Sequence, residues 1–339
     1  RHAGLGTLGS GGIYILTPTA TSFTAATFYD MDANGHRTRA AAGTYGPGNS
    51  YNLVGSNQIT FLGAVDALTG QPNGLGVVGT NVNRGLGASA TAPNNDPAAF
   101  DQTSKVGLGD IEISEDGKFL FVMNLYSRLL FRLELNDAYD PTSVIAVTSY
   151  ALPAVAVTNG VIRPFALKYS KGKVFVGALA SGENGGVNTI GGTTNMFAYV
   201  FELNNPKGTA SFNAAPIVQF PLNYLKGQSW DAFPATSNRW YPWSKTTTLP
   251  FGGATNKTYP TPLLSNIEFS DNGAMILDFC DRSGHQYGNF NYRDLSGTTL
   301  ASIFVGGELL AVGKNCGTGI YSLESAGTYT SEGVAFTSS

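Results

Sequence analysis

The feature that most constrains this chain is a hairpin that recurs. Asp110-Ile111-Glu112-Ile113-Ser114-Glu115-Asp116-Gly117-Lys118-Phe119-Leu120-Phe121-Val122 reads as strand, tight turn and strand, with apolar residues alternating before an Asp-Gly pair and running continuously after it. Asn266-Ile267-Glu268-Phe269-Ser270-Asp271-Asn272-Gly273-Ala274-Met275-Ile276-Leu277 repeats the pattern around Asn-Gly. Ala166-Leu167-Lys168-Tyr169-Ser170-Lys171-Gly172-Lys173-Val174-Phe175-Val176 repeats it with a turn one residue shorter. Asp-Gly and Asn-Gly tolerate positive φ, so the expectation is a type I′ turn. A second unit follows the hairpins. Gly12-Ile13-Tyr14-Ile15-Leu16, Leu130-Phe131-Arg132-Leu133, Ala198-Tyr199-Val200-Phe201 and Gly319-Ile320-Tyr321-Ser322 each place an aromatic near the same point of a short strand.

Hairpin followed by aromatic strand, at intervals of roughly 50 residues, is the spacing of a four-stranded propeller blade. From Ala166 to Asn266 is 100 residues, room for two such blades. The expected fold is therefore an all-β, single-domain β-propeller over residues 1–339, with seven blades of four antiparallel strands, or six, and long loop insertions. The chain opens on what resembles a third strand, so both ends would complete the final blade and remove free edges.

Composition agrees with this and removes other classes. Charged residues are 13%, about half the usual share, too few to solvate the outer faces of a helical bundle. The 20 Phe, 16 Tyr and 3 Trp supply a core that a disordered chain lacks. A net charge of −3 with no Lys/Arg cluster gives no electrostatic grip on nucleic acid or anionic lipid. Apolar runs such as Phe119 to Met123 are too short to cross a bilayer, so no direct membrane insertion is expected. Arg1-His2-Ala3-Gly4 carries no secretory signal and looks like an internal or processed beginning. Low charge, abundant Gly, Thr, Ser and Asn, and few Met and Cys point to an extracellular protein. Cys280 and Cys316 form one bridge or sit as two buried thiols, and both readings stand.

Several constellations could carry chemistry. Asp30, Asp32 and Asn34, with Gly35, match the first half of a calcium loop, where alternate oxygens converge on a hard cation. The pattern then fails, since Thr38 and Ala41 stand where later ligands belong, and an Asx-rich turn is the alternative. Long insertions run from Ala40 to Asn57, Thr80 to Lys105 and Gly227 to Pro262. The last holds Trp230, Trp240, Tyr241 and Trp243, either a loop pinned by aromatic packing or a platform for a glycan or peptide. Asp281, Arg282 and His285 could serve as acid–base machinery or form a turn in which Asp and Arg pair. Glu112, Lys168 and Glu268 occupy equivalent hairpin positions and could ring a channel, with Asp110 and Asn266 adding oxygens. A Lys among acids favours an ion-pair network over a metal site. The three His are spread too thinly for a zinc centre, and no G-x-S-x-G nucleophile elbow occurs.

The phrases Lys105-Val106-Gly107-Leu108-Gly109-Asp110-Ile111, Asn124-Leu125-Tyr126, Arg163-Pro164-Phe165-Ala166, Phe220-Pro221-Leu222-Asn223-Tyr224, Leu264-Ser265-Asn266-Ile267 and Asp281-Arg282-Ser283-Gly284-His285-Gln286 span most of the chain. Together with Arg1-His2-Ala3-Gly4 they resemble a propeller-type region of large secreted bacterial surface and adhesin-like proteins, often found beside SdrD-B-like or immunoglobulin-like repeats. The resemblance implies export and a surface or adhesive role, and it carries over no catalytic residues. The leading expectation is a non-enzymatic binding, adhesion or assembly module whose loops contact a glycan, a surface protein or copies of itself. A calcium-dependent hydrolase working in the propeller channel and a structural subunit of an extracellular filament are the alternatives.

Overall fold

The computed structural model describes residues 11–38, 51–53, 59–61, 93, 100, 102–183, 195–227, 229, 238–244, 255–288, 290–292, 299–315, 317–325 and 327–337. Each recurring hairpin founds one antiparallel sheet whose strands lie in sequence order. The first sheet runs β5(Leu108–Ile113), β6(Phe119–Asn124), β7(Leu129–Leu135) and β8(Val144–Ala151). In the second, β9(Ile162–Ser170), β10(Lys173–Ala180) and β11(Phe197–Asn204) are followed by an outer position shared by β12(Ser211–Phe212) and β13(Val218–Pro221). The third is β15(Pro262–Phe269), β16(Met275–Asp281), β19(Glu308–Lys314) and β20(Tyr321–Leu323). Between β16 and β19 the chain makes a short helix, α1(Arg282–Tyr287), and the strands β17(Asn291–Tyr292) and β18(Leu300–Phe304), which form a small sheet with the earlier β14(Asn256–Thr258).

The sheets stack face to face because their strands carry apolar residues on both sides. In β11, Tyr199, Phe201 and Leu203 join Phe121, Met123 and Leu130 of the first sheet, while Ala198 and Val200 join Leu277, Phe279 and Val312 of the third. Alternate residues of one strand thus enter two separate cores, as a strand period of two allows when both faces are covered. Gly177 in β10 is required by this stacking: a Cβ there would stand 2.8 Å from a methyl of Leu264. On the far side of the first sheet, the hairpin β1(Gly12–Pro18)–β2(Phe23–Asp30) places Ile13 and Met31 against Val122, Phe131 and Leu133. On the far side of the third, the hairpin β21(Thr328–Ser331)–β22(Val334–Thr337) leans on β19, where the Thr330 carbonyl fills the space beside Gly313. A pair β3(Tyr51–Leu53)–β4(Ile59–Phe61) completes the strands among the described residues.

Two expectations need correction. Among the described residues, no sheet from the interval Ala166 to Asn266 stands between the second and third, because β9 and β15 are neighbours and their sheets share one core directly. The described residues between β13 and β14 lie outside strands and pack Trp240 and Trp243 into the protein. The turns also differ. Lys171 (φ 48°) and Gly172 (φ 74°) form the expected pair of positive-φ residues, but at Asp116-Gly117 and Asn272-Gly273 only the glycine is positive. These are type I turns followed by a left-handed glycine, in which the Asp116 and Asn272 carboxyl or amide oxygens take hydroxyl and backbone donors inside the turn.

Candidate functional site

The first strands of the three sheets, β5, β9 and β15, lie side by side and carry the equivalent polar residues into one row. Each sheet has a register shift at the same place, near Gly109–Asp110 in β5, opposite Val176–Ala178 in β9 and near Ser265 in β15. Such a bulge leaves a backbone N–H without its ladder partner. At Asn266 the side-chain oxygen accepts the N–H of Ile267 at 2.9 Å, and at Asp110 one carboxylate oxygen does the same for Ile111 at 2.9 Å. The equivalent position in the second sheet is Ala166, which has no acceptor to offer. Asp110 supplies it from the neighbouring sheet: its other oxygen accepts the N–H of Leu167 at 2.9 Å. The repeat therefore needs a carboxylate at 110, where two donors converge, and only an amide at 266. Burial raises the Asp110 carboxyl above its ordinary range, against the two backbone donors and the Lys168 charge that lower it.

Two residues further along, Lys168 sits between Glu268 (Nζ to Oε2 2.8 Å) and Glu112 (3.5 Å). The equivalence read from sequence thus becomes one bridge across three strands. Desolvation pulls Lys168 down, but the hydrogen bond to Glu268 and the charge of Glu112 outweigh it and hold it above an ordinary lysine. Burial raises Glu112, with Lys168 opposing. The ammonium fills the place that a metal bound by Glu112 and Glu268 would need.

A second polar node is wholly buried. Glu183 takes Lys105 Nζ at 2.8 Å on one oxygen and Arg163 on the other, all three side chains being closed to solvent. Burial would push the Glu183 carboxyl up, but Lys105 and Arg163 reverse this and hold it at about 2. The Trp243 ring lies beneath the Arg282 guanidinium at 4.2 Å and near that of Arg163 at 5.9 Å, and its indole N–H donates to the Pro262 carbonyl. Nothing in the sequence marks this node, because Lys105 and Glu183 lie outside the repeating strands.

The aromatic loop is pinned rather than presented. Trp240, Tyr241 and Trp243 are 0–1% exposed, so these three offer no open face for stacking; Trp230 lies outside the described residues. Trp240 donates to Glu308 (3.2 Å), which also accepts the Tyr224 hydroxyl (2.7 Å), and Lys226 lies over the Trp240 ring at 4.5 Å. Asp281 caps α1, accepting from the backbone N–H and hydroxyl of Ser283 and from the N–H of Thr261. Burial raises its carboxyl to about 6. Arg282 donates instead to the carbonyls of Thr103 and Ser244, so the pairing of Asp281 with Arg282 expected from their adjacency gives way to separate structural roles.

The turn at Asp30–Gly35 uses its own oxygens. Asp30 Oδ1 accepts from Ala33, the Asn34 amide donates to the Asp30 carbonyl, and Asp32 accepts both the N–H and the hydroxyl of Thr38. Among the described residues no group of three His, Cys, Asp or Glu side chains stands close enough to hold a metal. Cys280 is a free thiol that accepts from the Ser265 hydroxyl at 3.1 Å, and Cys316 lies outside the described residues. Among those residues no helix is long and apolar enough to cross a membrane.

Among the described residues, Asp110, Glu112, Glu268 and Asp281 each hold neighbouring donors. Comparison with protein-family models, with curated proteins and with solved structures found no match.

Proposed function

We propose that this chain is a β-propeller, exported to the cell surface, that acts without catalysis as a rigid binding and assembly module. The carrying observation is the Glu112–Lys168–Glu268 bridge: the polar groups that point along the first strands tie three consecutive sheets together. A calcium-dependent hydrolase would need those carboxylates on an ion, and the lysine ammonium stands in that position. The stacking of equivalent four-strand units and the phrases that resemble those of bacterial surface proteins support the propeller. The hairpin β21–β22 adds to this: Glu332 (φ 50°) and Gly333 (φ 82°) reproduce the turn of Lys171 and Gly172, as the opening hairpin of a further unit would.

Assembly with like subunits is the second reading, favoured by Leu16 (61% exposed) and Phe23 (68%) on β1–β2. Electron microscopy of the purified protein, with sedimentation and a panel of chromogenic glycosides and esters in calcium, tests the proposal. A ring-shaped particle with no turnover is expected. An open stack of sheets, or calcium-dependent turnover abolished by Glu268→Gln, overturns it.

A further inference from the structure

A cleft of about 140 Å³ opens where the turn ends of the second and third sheets meet the β21–β22 hairpin. Lys173 and Glu202 form its floor as an ion pair at 2.7 Å, and Glu202 also accepts from Asn213 at 3.1 Å. Phe269 and Tyr321 supply ring surface, Lys314 Nζ stands 5.7 Å from the centre of the Tyr321 ring, and Glu332 closes the rim. Lys171 at the turn adds a third ammonium. With Lys173 neutralised by Glu202, the cations left facing the opening are Lys171 and Lys314, opposed by Glu332 alone. The cleft therefore carries a single net positive charge beside an aromatic wall, and at about 140 Å³ it is smaller than an ordinary small-molecule pocket, which limits it to a single ring.

These properties select a ligand. A phosphate or sulfate dianion would exceed the cleft's single net positive charge and would find no Arg fork, the partner such groups use best. A neutral sugar would leave Lys314 without a counter-charge. A six-membered ring carrying one carboxylate satisfies every group: the carboxylate meets Lys314 and Lys171, the C–H face lies on Tyr321, and ring hydroxyls donate to Glu332. Burial, followed by the charges of Glu202 and Glu332, pushes the Tyr321 phenol up to about 12, so it stays a donor for a ligand oxygen. We propose that this cleft binds a hexuronic acid residue of an acidic polysaccharide. The inference rests on the reading of the protein as a binding module, gives it a glycan ligand, and places the contact away from the buried Trp240 and Trp243.

The test is titration of the whole protein with trigalacturonate and triglucuronate, followed by NMR or calorimetry. Maltotriose serves as the neutral control and inorganic phosphate as the simple anion. Saturable binding of one uronate is expected, weakened roughly tenfold by Lys314→Met, as loss of one charged hydrogen bond implies. Tyr321→Leu should weaken it similarly, while Tyr321→Phe keeps the ring and tests the hydroxyl with the fold intact. Lys118→Met, on the first sheet, should leave binding unchanged. Equal binding of maltotriose, equal competition by phosphate, no uronate binding at millimolar concentration, or insensitivity to Lys314→Met overturns the inference. If uronates fail while the protein still attaches to other polysaccharides or to itself, the cleft assignment alone falls. If it attaches to neither, the module reading falls with it.

Discussion

Two three-membered ion-pair clusters among the described residues, one of two acids around a lysine and one of two cations around an acid, lie in opposite surroundings. Glu112, Lys168 and Glu268 sit along the first strands with Glu268 half open to water, whereas Lys105, Arg163 and Glu183 are sealed. In the outer cluster Glu268 is half exposed and Lys168 and Glu112 keep about a fifth of their side chains in water, so partial screening limits the cost of removing one member. In the sealed cluster the desolvation of three charges is offset only by their mutual contact, so removing the acid strands the cations. Burial, rather than charge count, decides which cluster the fold depends on.

The largest effect that separates them is expected from Glu183→Gln, which should destabilise the protein by about 3–5 kcal/mol in urea denaturation. Titration gives the same contrast. The Glu183 carboxyl is held at about 2, below its ordinary 4.5, so its contribution is complete above pH 4.5 and is lost as pH falls toward 2. Melting temperature measured down this range should fall in the parent and fall less steeply in Glu183→Gln; identical slopes would place the acid sensitivity elsewhere. An intermediate effect belongs to Asp110, which serves backbone donors in two sheets. Asp110→Ala should cost about 2–4 kcal/mol by orphaning two N–H groups, and Asp110→Asn, with one acceptor oxygen, about half of that. If the two variants lose equally, the second oxygen has no role in joining the sheets. The smallest effect is expected from Lys168→Met, within about 1 kcal/mol. It should also let millimolar calcium raise the melting temperature by bridging Glu112 and Glu268, a gain absent from the parent protein.

The two clusters also differ in how far sequence discloses them. The outer one lies inside the repeat, so aligning Asp110, Ala166 and Asn266 aligns Glu112, Lys168 and Glu268, and a lysine between acids already implies pairing. The sealed one joins segments with no periodicity, and its partners meet only through the stacking of sheets. Strand order and the all-β class are legible because alternation and turn residues are local properties. Distance along the chain does not place a further sheet between β9 and β15, which the described residues bring into direct contact. The expected turn type fails: Asn-Gly permits two positive φ angles, but the Ser270 and Asn272 side chains stabilise a wider loop. The cleft around Lys314 is invisible to periodicity, since six strands and three turns contribute its walls.

The two-sided burial of β11 has a consequence for how this protein can be cut. A fragment ending after the first two sheets would leave Ala198, Val200 and Phe220 facing water, and one beginning after Gly160 would bare Tyr199 and Phe201. Neither half is a self-sufficient folding unit, so the shortest excerpt that keeps the middle sheet dry must retain both of its neighbours.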